Sequence, residues 1–371
     1  MRTLHSSQSR GNGAAAGPPL RVALVGPAPP PAGGMANQTL QLARLLTTEG
    51  LSAEIVQVNA PYSPSCVARI PVIRSLFRLP AYLARLWRAA GRSDVLHVMA
   101  NSGWSWHLFA VPAIWVGRFR RVPTVVNYRG GEAETFLRRA APMVRFSMRR
   151  ASALVVPSGF LREVFAVFGM DARIVPNIID LAKFHPSDAA PDCVHVVVAR
   201  NLEPLYDIAT GLRAMALLLN RFPAARMSVA GSGPDLERLT RLASELGIAA
   251  QVSFTGRLDS DQMADLYRTA TVVLNTSLAD NMPNSVLEAL ASGAPVVSTD
   301  VGGVPFLVEN EKTALLVEPG DAEAMADAMT RVIDDRALRQ KLISNGLDYV
   351  RNFTWERVGV SWLRIYRDML R

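Results

Sequence analysis

Cysteine is scarce in this chain. The two present, Cys66 and Cys193, lie far apart and show no metal-ligand spacing. That excludes a disulfide framework and suits a reducing compartment. Five scattered histidines give no metal signature either. No run of eighteen apolar residues exists, so no transmembrane helix is expected. The N-terminus lacks the basic-then-apolar layout of a signal peptide. The strict Gly-x-Gly-x-x-Gly fingerprint is missing after the first strand, which counts against a nicotinamide cofactor. Lysine is rare, with three residues in all. Residues 55–93 contain six arginines and no acid.

What is present is apolar and long. A chain of 371 residues, 49% of them hydrophobic, buries a substantial core and divides into two or three domains. Residues 1–19, rich in Ser, Gly, Ala and Pro, are expected to form a disordered tail. Charge is uneven. Residues 20–185 hold 20 Lys and Arg against 8 acids, whereas residues 186–371 hold 18 against 24. The cationic half points to an anionic membrane surface or to nucleic acid. No recognised nucleic-acid module accompanies the charge, so nucleic acid is not expected as a partner.

Both halves alternate strand and helix. In the first, RVALVGPAP (21–29) is an apolar strand, and Gly33 and Gly34 precede a helix with Leu40, Leu45 and Leu46 in its pattern. AEIVQVNA is the next strand, which makes a βαβ opening and a parallel sheet. A Gly-rich turn at a helix start lets a phosphate or sugar approach closely. IPVIRSLFRLPAYLARLWRAAGR is amphipathic. Ile73, Leu76, Phe77, Leu83, Leu86 and Trp87 share one face, and Arg74, Arg78, Arg85 and Arg88 another; Pro80 is expected to kink or split the helix. Two readings of this helix stay open: peripheral membrane contact through residues 69–92, or a surface helix packed on the sheet. Trp104, Trp106 and Trp115 are expected to pack; for the first two, which follow a strand end, a place facing the cleft stays open. PTVVNYRGGEAETFL places Arg129, Gly130 and Gly131 in a strand-to-helix loop, where an arginine suits a phosphate or an acidic acceptor. Ser158 is a candidate N-cap. The linker PSDAAPD (186–192) separates the halves.

In the second half, HVVVARNLEPLYDIATGL, ARMSVAGSGPDLERL and VSFTGRLDSDQMADLY repeat strand, turn and helix, with Gly231 in one turn and Arg257 in another. Asp259-Ser260-Asp261 has the spacing of an Asp-x-Asp metal motif. It immediately precedes a helix, so capping explains it and no metal is expected. Asp321 is another candidate N-cap.

The stretch LADNMPNSVLEALASGAPVVSTDVGGVP (278–305) carries the chemistry. Asp280 lies on the loop before a helix and Glu288 about one turn inside it. Pro283 suits a first helical turn, and Gly293 stops the helix in the C′ position. Free N–H groups around Asn284 and Ser285, with the helix dipole, make a site for an anion, phosphate above all. The flanking carboxylates accept hydrogen bonds only, so they suit hydroxyl groups. An anion flanked by hydroxyls describes a sugar nucleotide.

Acid, seven residues, Glu, an alanine-rich helix, Gly, Pro-Val-Val and Gly-Gly resemble the donor-site signature of the family 4 retaining glycosyltransferases. Pro176, Asn177, Asp180 and Phe184 are similar to that family's domain-joining segment, with Ile178 where a glycine is usual. The resemblance covers about residues 20–371. It implies the GT-B fold: two doubly wound, Rossmann-like α/β domains facing a cleft, an acceptor-side domain over 20–185, a nucleotide-sugar domain over 193–353, and a last helix, 354–371, crossing back to the first domain. It implies that Glu288 binds the ribose, Asp280 the donor-sugar hydroxyls, and Arg200 with the N–H groups near Asn284 and Ser285 the diphosphate. Asn281, Met282, Gly33, Gly34, Gly231 and Arg129 are placed with them around the donor. The usual diphosphate lysine is missing; Glu203, Leu205 and Tyr206 occupy that loop, and Arg257 is a candidate to compensate. The expected function is transfer of a sugar from a nucleotide-sugar donor to an acceptor hydroxyl, in cell-surface polysaccharide or glycolipid synthesis. The donor is a co-substrate, with no cofactor or metal. The expected location is cytoplasmic, at the inner face of the membrane. The alternative is a non-catalytic homologue that binds sugar nucleotides.

Overall fold

The computed structural model describes residues 18–30, 33–60, 73–187 and 193–371, without the side chains of 73–77. Most of the expected tail, part of the linker and Cys66 therefore lie outside the described residues. Twelve strands are present among them. The first domain holds β1 (Arg21–Gly26), β2 (Ser52–Gln57), β3 (Val95–Ala100), β4 (Thr124–Tyr128), β5 (Ala153–Val156) and β6 (Arg173–Ile174). The second holds β7 (His195–Ala199), β8 (Arg226–Ala230), β9 (Val252–Gly256), β10 (Val272–Asn275), β11 (Val296–Thr299) and β12 (Leu315–Val317). Every pairing is parallel. Parallel strands are covered by helices on both faces, which is why β3, β4, β10 and β11 are buried at every residue.

The helices of the first domain are α1 (Gly34–Thr48), α2 (Ile73–Ala90), α3 (Val111–Arg120), α4 (Ala133–Met148) and α5 (Gly159–Val167). Those of the second are α6 (Ile208–Leu219), α7 (Leu236–Glu245), α8 (Ser260–Arg268), α9 (Asn284–Ala291), α10 (Ala322–Asp334), α11 (Arg336–Val350) and α12 (Trp355–Leu370). Their starts follow local chemistry. Ser158 accepts the Leu161 N–H, and Asp321 accepts the Ala324 N–H. Asp259 forms a capping box with Gln262, so its carboxylate is occupied by helix N–H groups.

Sheet order decides where a ligand can sit. The second sheet runs β12-β11-β10-β7-β8-β9, and the first β2-β1-β3-β4-β5-β6. Both are doubly wound, and their order reverses between β7 and β10 and between β1 and β3. Ligands of such sheets bind beyond the strand carboxyl ends at that reversal. Arg200 follows β7, and the loop carrying Asp280 follows β10. The closing helix α12 lies against the first sheet: Val358, Trp362, Ile365 and Tyr366 share a core with Val22, Leu24, Val95, Val125 and Val155.

The structure bears on three of these readings. Pro80 does not split α2, which runs through it; the proline is exposed, so the missing N–H bond falls on the wet side. Leu86 is buried in the core and Leu83 packs against it, as do Tyr82 and Leu79. The described part of the α2 apolar face therefore covers the sheet and is closed to a lipid surface. Trp87 stands outside that face, under the Arg120 guanidinium at 4.9 Å. Trp106 is wholly buried, whereas Trp104 is 79% exposed and meets the His107 ring edge-on at 6.3 Å. No helix among the described residues is long and apolar enough to cross a membrane.

Candidate functional site

The site begins with α9. Pro283 occupies the cap position, one residue earlier than the first turn, and supplies no side-chain cap. The first N–H groups of a helix have no partner within it, so those of Asn284 and Ser285 remain available to an anion. Gly293, at φ 71°, ends the helix with N–H bonds from Gly293 to Leu290 O and from Ala294 to Ala289 O. The loop before α9 is fixed from behind by the glycine pair. The Gly303 N–H donates to Asp280 O at 2.9 Å, and a Cβ there would lie 1.8 Å from Asn281 O. Only glycine allows this approach.

Arg200 and Asp280 form an ion pair, each side chain 12% exposed. Asn275, at the buried end of β10, holds the guanidinium: its Oδ1 accepts from Arg200 Nε at 3.0 Å and from Nη2 at 2.9 Å. Asn275 Nδ2 donates to Ser298 Oγ, and Ser277 Oγ donates to Asn275 Oδ1. The Tyr206 ring lies 5.1 Å from the guanidinium carbon. In this state Asp280 serves as the counter-ion of Arg200. Gly231 lies against the Arg200 carbonyl, 1.9 Å from where its Cβ would be, so it positions that backbone. Arg257 is exposed at the end of the edge strand β9, two strands from β7.

Glu288 stands half-buried on α9 and accepts from Tyr267 OH at 3.3 Å. Burial raises its pKa to about 7, with the Tyr267 bond and the Arg200 charge opposing that rise. The sign of the linkage follows. Between its ordinary value of 4.5 and about 7, the folded chain holds a proton that the unfolded chain has released. The stabilising term is full below the unfolded value and is lost as pH rises through about 7. Glu288→Gln removes it. Denaturant titrations from pH 5 to 8 should show wild type losing up to about 3 kcal/mol relative to the variant. A pH-independent difference would contradict this environment for Glu288.

The first domain meets α9 through polar side chains. Gln38 Nε2 and Asn177 Nδ2 both donate to Asn284 Oδ1, at 3.0 and 2.6 Å. Arg129 donates to Gln38, to Asn177 and, through Nε, to Asn127 Oδ1 at 2.8 Å. Asn127 Nδ2 lies 2.9 Å from His97 Nε2, whose Nδ1 lies 2.7 Å from Tyr366 OH on α12. Gly33, at the cap of α1, and Gly34 have open space where a Cβ would be.

Two residues of the α9 loop also bond across the domains. Asn281 accepts from Ser158 Oγ at 2.6 Å, and Met282 O accepts from Asn177 Nδ2 at 2.9 Å. Both residues are buried. They join the two domains. Asn275, Ser277, Tyr267, Gln38 and Asn127 were not marked by any motif. Asn127 and Asn275 did carry one signal: an amide side chain within a buried strand, next to last in β4 and last in β10. Each turns its amide oxygen to an arginine. Among the described residues no cluster of His, Cys, Asp and Glu could hold a metal.

Two family descriptions match the chain. One is a glycosyl transferase 4-like domain over residues 33–177, the other glycosyl transferases group 1 over residues 185–348. The D-inositol 3-phosphate glycosyltransferase of Acidothermus cellulolyticus is 31% identical over 231 residues, 56% of this chain and 51% of that protein. The protein of the same name from Nocardioides sp. is 26% identical over 397 residues, 91% of this chain and 85% of its own. The chain spans about half the length of the first curated relatives it matches. Sucrose-phosphate synthase from Thermosynechococcus elongatus superposes with a TM-score of 0.77 at 22% identity, over 94% of this chain and 99% of that one. HepE from Anabaena, solved with UDP, gives 0.74 at 18%, over 94% and 100%. At these identities the structural likeness shows the fold.

Proposed function

The chain belongs to the family 4 glycosyltransferases with the GT-B fold, and from that premise we propose that it is a retaining, metal-independent hexosyltransferase. The observation that carries the reading is the juxtaposition at α9. An uncapped helix N-terminus lies between Asp280, paired with Arg200, and Glu288 on the next turn. A nucleotide sugar fits it with the diphosphate on the Asn284 and Ser285 N–H groups, the ribose hydroxyls on Glu288 and the sugar hydroxyls on Asp280. HepE was solved with UDP and with UDP-glucose, which favours this class of donor here.

In the reaction, the acceptor oxygen bonds to the anomeric carbon on the face from which the diphosphate leaves. The bond to the phosphate oxygen breaks, and that oxygen takes the acceptor's proton. Arg200 and the helix N-terminus stabilise the charge that develops on the leaving group. To reach it, Arg200 turns part of its fork from Asp280 to the diphosphate, which frees carboxylate lone pairs for the sugar. Cleft closure completes the site.

Calorimetric screening of UDP-, GDP- and ADP-sugars identifies the donor, and NMR of the product reads its anomeric configuration. Inversion would refute the retaining course. Binding without transfer to any acceptor would favour the non-catalytic alternative.

The acceptor side is proposed to meet an anionic membrane surface, in assembly of a glycolipid or cell-surface polysaccharide at the inner face. The contact shifts from α2 to α3 and α4. There Phe119, Met143 and Phe146 are exposed, with exposed Arg118, Arg120, Arg121, Arg139 and Arg149 around them. Arg150 lies over the Trp115 and Phe146 rings, at 4.3 and 4.0 Å. Aromatic rings among cations suit the headgroup region. In flotation with anionic liposomes the protein should bind at low salt and release at high salt, and Phe119→Ser/Phe146→Ser should bind at least about tenfold more weakly. Equal partition of the double variant would exclude this surface.

A further inference from the structure

Arg129 follows β4 in the first domain, is half-buried, and reaches the start of α9 through Gln38 and Asn177. A guanidinium taken out of water usually gains a carboxylate partner. This one has none among the described residues. Its bonds go to three neutral amide oxygens: Asn127 Oδ1, Gln38 Oε1 and Asn177 Oδ1. Burial without a counter-ion lowers its pKa to about 10, so it stays charged at neutral pH.

The polarity of these bonds is fixed. Arginine only donates, so Gln38 and Asn177 must turn their oxygens to it and their NH2 groups away. Both NH2 groups then converge on Asn284 Oδ1. Two side chains therefore bridge Arg129 to the first residue of α9 in parallel. Nε and Nη1 carry the three bonds to protein. The two donors on Nη2 form no bond to protein among the described residues. One edge of the guanidinium is thus clamped and the other is unused, beside the helix end that offers backbone N–H groups.

We propose that Arg129 is a phosphate-binding residue, which meets the diphosphate of the bound nucleotide from the first domain through its Nη2 edge. This rests on the donor site proposed above and goes beyond it. It makes the diphosphate a bridge between the domains, held by Arg200 and α9 on one side and Arg129 on the other. The rigid support from Asn127 and His97, itself bonded to Tyr366 on α12, fixes the direction of the fork.

The test is calorimetric, on the full chain. UDP, GDP and ADP are titrated first, and the tightest binder is compared with its nucleoside and with inorganic pyrophosphate. Arg129→Gln should lower nucleoside diphosphate affinity by about 10- to 100-fold and abolish pyrophosphate binding, while nucleoside affinity changes by no more than about twofold. Arg129→Lys, which keeps the charge but loses the fork, should fall between. Thermal melts establish that each variant is folded. If Gln at this position prevents folding, the Lys variant decides through its loss for the diphosphate but not for the nucleoside. Equal diphosphate affinity in wild type and folded variants overturns the role of Arg129 alone. Failure of the wild-type protein to bind any of the three nucleotides overturns the donor reading itself.

Discussion

Glu288→Ala is expected to lower sugar transfer by about 100- to 10,000-fold while the protein stays folded. Two hydroxyls donating to one carboxylate make two charge-assisted hydrogen bonds, each worth about 1.5–3 kcal/mol. Their loss corresponds to that range. The fold survives because ionised Glu288 does not stabilise it. Burial raises its pKa to about 7, and among the described residues its side chain bonds to Tyr267 OH alone, at 3.3 Å. At pH 8 the variant should melt no lower than wild type. Glu288→Gln keeps the shape and accepts through one oxygen, so it should retain more binding than Ala. Wild-type turnover in a folded Glu288→Ala protein would remove this residue from the donor site.

Arg200→Met should cost both stability and activity. The Arg200–Asp280 pair is nearly enclosed. Removing one member leaves a carboxylate with only Ser277 Oγ and the Asn281 N–H as donors among the described residues. Breaking such a pair costs about 3–5 kcal/mol. It also removes the side-chain cation that the second domain offers the leaving diphosphate, for a further loss of about 100- to 1,000-fold in turnover. The two effects separate in Arg200→Met/Asp280→Leu. An apolar replacement of both members restores much of the stability, since buried ion pairs often do little better than hydrophobic isosteres. Denaturant midpoints should recover in the double variant and transfer should not. Recovery of transfer would assign Arg200 a structural role only.

Much of the fold was legible because its physics is local. The central strands β1, β3, β4, β7, β10 and β11 fall in apolar runs, since parallel strands buried on both faces need no alternation, whereas β2 and β9 alternate and the two-residue β6 is exposed. Ser158, Asp259 and Asp321 marked helix starts because capping depends on residues within one turn. Asp280, Glu288 and the α9 start were legible for the same reason: they lie on one continuous segment. The rest depends on pairs distant in sequence. Asn275 holds Arg200 from 75 positions away, and Gln38 meets Asn284 across 246. Nothing in either local segment announces the partner. The α2 face stayed open between two readings for a different reason. Amphipathicity shows that a helix has one apolar side, but a sheet and a membrane satisfy that side equally. The bonds of Asn281 and Met282 to Ser158 and Asn177 were not legible either, because proximity to Asp280 in sequence does not fix which way a loop side chain faces.

The most direct test is a crystal structure of the chain with the nucleoside diphosphate it binds most tightly. The account predicts phosphate oxygens on the Asn284 and Ser285 N–H groups, with Arg200 within hydrogen-bonding distance and the ribose hydroxyls on Glu288. A nucleotide bound elsewhere, or seated in this cleft with its phosphates turned away from α9, would contradict it.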